Sequence, residues 1–147
     1  MTRIAAELCR ILDREKHIYT RIADIEQEKS GAIMAKEGKL LLSLSEEQER
    51  LLAGIQELER ERLELIASDA RRHGWGNDPR NVTLSAITGL TDGTDRDELA
   101  RAGAALKEEM ARVQALTDTN AQMLDDIMEF YQHLVAELKR RVSPPLA

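Results

Sequence analysis

The sequence predicts an all-α protein: an antiparallel bundle of three long helices with coiled-coil-like packing and a short connecting helix. Three observations predict it. No proline occurs from Met1 to Arg72. Apolar residues in that stretch return every three or four positions. A later segment repeats the pattern, with one stripe residue every seven. That spacing is the seam spacing of helices wrapped on each other.

The first stripe is Ile4, Leu8, Ile11, Ile18, Ile22 and Ile25. Its helix is expected over about 2–36, roughly 50 Å long, with the Thr2 hydroxyl as cap. Glu15 and Lys29 interrupt the stripe. Gly38 is the expected reversal point and Gly31 its competitor. A single helix to Arg72 would need a partner chain along about 100 Å of seam, so a hairpin is the preferred expectation. The second stripe is Leu41, Leu44, Leu51, Ile55, Leu58 and Leu65, on a helix expected over about 39–73. Ser45 and Gln48 resemble a capping box, but Leu40 to Leu44 already keep the helical pattern. The charge run from Glu57 to Glu64 reads as a solvated face with pairs three and four apart.

Gly74-Trp75-Gly76-Asn77-Asp78-Pro79 is a loop signal. Thr83 to Ile87 is read as one or two helical turns within a connection over about 74–93. Thr94 or Asp95 then caps a helix over about 95–142, with Lys139, Arg140 and Arg141 at its cation-favouring end and Ser143-Pro144-Pro145 beyond. Its stripe is Leu99, Leu106, Val113, Asn120, Ile127 and Leu134. The whole of 1–147 is read as one domain.

Composition narrows the function. Hydrophobic residues make up 42% and charged residues 33%, which allows a core and a solvated surface, while aromatics are only 3%. The net charge of −6 argues against nucleic acid, whose binding rests on Lys and Arg contacts to phosphate. No apolar run suits a membrane span, and no N-terminal signal is visible. The single cysteine, Cys9, cannot form an internal disulfide and fits a reducing compartment.

Chemistry-bearing motifs are absent. Asp13 with His17 and Glu129 with His133 have helical i, i+4 spacing, yet neither matches the Glu-x-x-His of di-iron bundles. His17 is followed by Ile18, Tyr19 and Thr20 rather than the Lys and Gly of phosphotransfer bundles. No Gly-rich phosphate loop or serine elbow is present, and Cys9 lies in an apolar helical pattern. The sequence therefore predicts no enzyme, no metal and no cofactor.

The informative segment runs from Val113 to Leu138. No Lys or Arg lies between Arg112 and Lys139, whereas Asp118, Asp125, Asp126 and Glu129 do. The same stretch holds Val113, Leu116, Met123, Leu124, Ile127, Met128, Phe130, Tyr131, Leu134, Val135 and Leu138, which reach more than one face of the helix. Asn120 stands on the stripe, where a polar residue costs stability and tends to fix register. It either satisfies itself within the bundle or marks a seam left unfilled until a partner arrives.

Three stretches resemble the FlgN family of flagellar export chaperones: Glu28 to Gly38 leading to Leu41-Leu42-Ser43-Leu44 and Glu47 to Leu52; Leu58-Glu59-Arg60-Glu61-Arg62 followed by Thr83 to Ile87; and Thr119 to Leu124 with Phe130 and Leu134 beyond. The resemblance covers about Ile18 to Leu138. Lys39 departs from it, standing where an acidic residue is expected. The resemblance implies a cytoplasmic, non-catalytic protein that holds hook-associated subunits (FlgK-like, FlgL-like) by their C-terminal helices before type III export. Contact with the export apparatus is a further implied possibility. The partner-binding residues would be Val113, Leu116, Asn120, Met123, Leu124, Ile127, Met128, Phe130, Tyr131, Leu134 and Leu138. The rival expectation is a structural coiled-coil homo-oligomer without a client. The oligomeric state stays open.

Overall fold

The computed structural model describes residues 2–73 and 93–142, without the side chains of 70–73. All regular structure among them is helical: α1 (Arg3–Met34), α2 (Gly38–His73) and α3 (Gly93–Val142). Trp75, the loop that follows it and the short helix expected over 83–87 lie outside the described residues.

Thr2 caps α1, its side chain accepting from the Ala5 N–H at 3.3 Å. That satisfies one of the four donors a helix start leaves open. The far end closes differently from the expectation. The Glu37 N–H donates to the Ala32 carbonyl at 2.9 Å and the Lys36 N–H to the Ile33 carbonyl at 3.2 Å, the paired bonds of a Schellman closure. The left-handed position is Lys36, with φ +58°. Gly38 is instead the first residue of α2, and Gly31 lies inside α1. Ala32 and Ile33 are the last buried side chains of α1, so the chain reverses where its apolar face ends. A glycine lowers the cost of a reversal but does not choose its place. Lys36→Gly should therefore stabilise the protein by about 0.5–1 kcal/mol by relieving the left-handed lysine. A higher urea midpoint at unchanged slope would show it; a lower midpoint would mean that the turn does not form as described.

The pairs between helices give their directions. Arg10 faces Glu61, Arg21 faces Glu47, and Lys29 faces Gln48, so α1 and α2 run in opposite directions. Leu8 and Leu65 pack in one cluster, which a continuous helix would hold roughly 85 Å apart. Along α3 the numbers rise with α1: Thr2 meets Asp95, Asp24 meets Arg112, and Ser30 meets Asn120. The two helices run parallel, and α1 approaches both neighbours closely. Asp95 does not cap its own helix, which begins two residues earlier. It accepts from the Thr2 N–H at 3.0 Å and ties the two helix starts together.

The core follows the stripes. At one end Ala5, Leu8 and Leu12 of α1 meet Ile66 of α2 and Leu99 and Leu106 of α3. Toward the turn, Ile25 and Ala32 pack on Leu44. The third stripe leaves the core partway. Asn120 lies level with Glu26 and Ser30, and α1 ends four residues beyond Ser30. From Leu124 to Val142, α3 extends past the hairpin for roughly 27 Å. No residue of that stretch is buried.

Candidate partner-binding site

Three helices meet at Asn120 before α3 leaves the bundle. Its side-chain amide donates to the Glu26 Oε2 at 2.7 Å and to the Glu26 carbonyl at 2.8 Å. Its Oδ1 accepts from the Ser30 hydroxyl at 2.5 Å. Glu26 Oε1 accepts from Gln48 of α2 at 2.6 Å and from the Lys29 ammonium at 3.4 Å. Burial would push the Glu26 carboxyl up, but the hydrogen bonds from Gln48 and Asn120 and the Lys29 charge hold it below its ordinary value. Asn120 is only 3% exposed, and its polar atoms are satisfied within the bundle. It therefore faces α1 rather than an open groove. Gln48 serves this junction too, not a capping box.

The other residues of the set divide by position. Val113, Leu116, Met123 and Ile127 are half-buried. Leu124, Met128, Phe130, Tyr131, Leu134 and Leu138 are exposed, Phe130 at 64%. Val135 and Val142 extend the same surface. The Phe130 and Tyr131 rings meet edge to face, with centroids 5.8 Å apart. A shallow groove of about 380 Å³ runs along the helix between Met128, Tyr131, Gln132, Val135, Ala136 and Lys139. Isolated exposed apolar residues are ordinary on a protein surface, but a contiguous row of this kind marks an interaction site. Its flanks carry Asp125, Asp126 and Glu129 on one side of the midpoint and Lys139, Arg140 and Arg141 on the other.

Sequence reasoning missed a second polar cluster. Glu15 is 3% exposed, and one of its oxygens lacks a hydrogen-bond partner. Burial, then the hydrogen bond and charge of Glu59 on α2, raise its carboxyl to about 8, against the pull of Arg62. Glu59 is held low: burial acts upward, but the Glu15 proton and the Arg62 guanidinium outweigh it. The signal was visible, because Glu15 fills the interval between Ile11 and Ile18 in the three-four rhythm. Another recess, of about 410 Å³ between α1 and α3, is lined by Cys9, Asp13, Lys16, Glu98 and Arg101. Its charges balance. Burial, with Glu98 and Asp95 nearby, raises the Cys9 thiol, which disfavours the reactive thiolate. His17 lies 3.9 Å from Asp13, and His133 3.9 Å from Glu129. Among the described residues no group of three or more His, Cys, Asp or Glu could hold a metal, and no helix is long and apolar enough to cross a membrane.

The arrangement is a helical hairpin that carries a long helix whose last 19 residues hold no buried side chain. No curated protein and no solved structure matches the chain. The family model described as FlgN protein matches residues 1–146, nearly the whole length, so the chain belongs to the FlgN family of flagellar export chaperones.

Proposed function

We propose that the protein is a cytosolic chaperone that captures the C-terminal helical segments of hook-associated subunits, FlgK-like or FlgL-like, before their export. One observation carries this reading: from Leu124 onward α3 presents exposed apolar side chains beyond the end of α1. An amphipathic helix laid against it would gain the apolar contact that the hairpin supplies to the inner half. Met123 and Met128 suit partners of varied shape. The acidic run up to Glu129 favours a client with basic flanks and makes capture salt-sensitive.

Calorimetry against C-terminal peptides of the two subunits tests it. Phe130→Ala should weaken capture by about 30-fold or more, the range of an interfacial aromatic anchor. Ile127→Asp should weaken it further. Both should leave helix content nearly intact, since neither side chain is buried. Glu57→Ala, on the charged face of α2 where Glu57 pairs with Arg60, should change little. Unaltered affinity in the first two variants would place the client elsewhere.

A further inference from the structure

The projecting half of α3 carries a seam that the long stripe does not predict. Leu124, Met128, Tyr131, Val135, Leu138 and Val142 follow one another at intervals of four, three, four, three and four. All six are exposed. This is a heptad seam of nearly three repeats, and it continues the side of α3 that carries Leu99, Leu106 and Asn120 against α1, whereas the seven-residue stripe drifts off that side at Ile127 and Leu134.

The charges beside the seam indicate what covers it. Asp125, Gln132 and Lys139 each follow a seam residue by one position and lie along one flank. The other flank carries Ile127, Leu134 and Arg141. If two such helices pair antiparallel about His133, Leu124 meets Val142 of the second copy, Met128 meets its Leu138, and Tyr131 meets its Val135. Asp125 then lies beside Lys139 of the second copy, and Lys139 beside its Asp125. Gln132 meets its counterpart, and Leu134 meets its counterpart on the opposite flank. A parallel pairing would instead set the acidic stretch against itself and the three cations against themselves. Neither Asp125 nor Lys139 forms an ion pair among the described residues. Antiparallel pairing also places the two hairpins at opposite ends of the shared segment.

We infer that in the free protein this seam is occupied by the same seam of a second copy, in an antiparallel two-fold pair. The contact is isologous and closes on itself. Seven apolar side chains from each copy amount to on the order of 1,000 Å² removed from water, the lower end for a specific complex. Such a dimer is weak enough to be displaced. A client bound at the same face would compete with it, so client capture and dimer dissociation would be linked. The pairing itself needs no client, and its test does not involve one.

The test is the mass of the full chain in solution by sedimentation and light scattering. At roughly 100 µM, above the micromolar range of weak interfaces, the mass should approach twice that of one chain and fall on dilution. Tyr131→Lys should leave a monomer with unchanged helix content. Asp125→Lys and Lys139→Asp should each weaken self-association about tenfold or more, because each sets like charges opposite one another. Mixing these two variants should restore the dimer, since every facing pair is then of opposite sign. The chain carrying both changes should also dimerise. A wild-type chain that stays monomeric at this concentration would overturn the inference, whether the seam is bare or covered by its own chain. So would a dimer indifferent to Tyr131→Lys, or a mixture that stays monomeric. A dimer strengthened by Asp125→Lys would indicate parallel pairing and overturn it equally.

Discussion

Replacing Asn120 by leucine should destabilise the protein by about 2–4 kcal/mol. The two side chains are similar in size, and leucine at a seam position would ordinarily gain about 1 kcal/mol of apolar burial. Here that gain is outweighed. The substitution removes the donor to Glu26 Oε2 and to the Glu26 carbonyl, and the acceptor of the Ser30 hydroxyl. Glu26 is 2% exposed, so no water replaces what it loses. A buried polar group without a partner costs about 1–3 kcal/mol, and a buried charge more. For a chain of this size the thermal midpoint should drop by roughly 5–15 °C. The acid limb should change with it. Glu26 titrates below its ordinary 4.5 in the folded state, so it contributes stability that is present above that value and lost as the pH falls through the folded one. Asn120→Leu should shrink that loss. Adding Glu26→Leu should recover part of the stability, because it removes the buried charge that Asn120→Leu strands, while Gln48 and Lys29 lose their bonds to Glu26. Unfolding in urea of the two single variants and the double decides it. A more stable Asn120→Leu would mean that the seam at Asn120 is open in solution.

The helices were legible because a buried face repeats at the helical period whatever it packs against. Leu8, Ile11, Ile22 and Ile25 stand on the first stripe, and all four are buried. Glu15 was legible as a position on that seam but not as a chemistry, since its consequences come from Glu59 on another helix. Asn120 was equally ambiguous. Whether a seam asparagine is satisfied depends on what stands level with it, and the offset between α1 and α3 is a tertiary quantity. The same offset decides where α1 stops covering α3, and therefore which apolar residues project. Val113 and Ile127 share one stripe, yet only Val113 lies level with α1. Gly38 stands two residues past the left-handed position because sequence identifies residues that tolerate a left-handed φ, whereas closure at Lys36 follows from where the apolar face of α1 ends.

Stability should fall by on the order of 2–4 kcal/mol between pH 5 and pH 8.5, and Glu15→Gln should remove most of that fall. Glu15 of α1 lies against Glu59 of α2, with Arg62 beside them and Tyr19 one turn further along α1. Two carboxylates in a buried interface cannot both stay charged, so Glu15 keeps its proton and donates it to Glu59. Its folded value of about 8 stands above the ordinary 4.5. The folded protein therefore holds a proton that the unfolded chain has released, and the unfolded chain gains with rising pH. The contribution is complete below about 4.5, declines as the pH rises toward about 8, and is flat beyond. Glu59 works in another window: its folded value is low, so its contribution disappears only as the pH falls below the ordinary carboxylate range. The Glu15 slope is thus not cancelled between pH 5 and 8.5. Glutamine keeps a donor toward Glu59 and has nothing to titrate. The variant should therefore be more stable than the parent at pH 8.5 and nearly level across the range. Denaturant unfolding at pH 5.5, 7 and 8.5 measures the slope directly. A parent chain whose stability is level or rises over that interval would show that Glu15 and Glu59 do not share a proton.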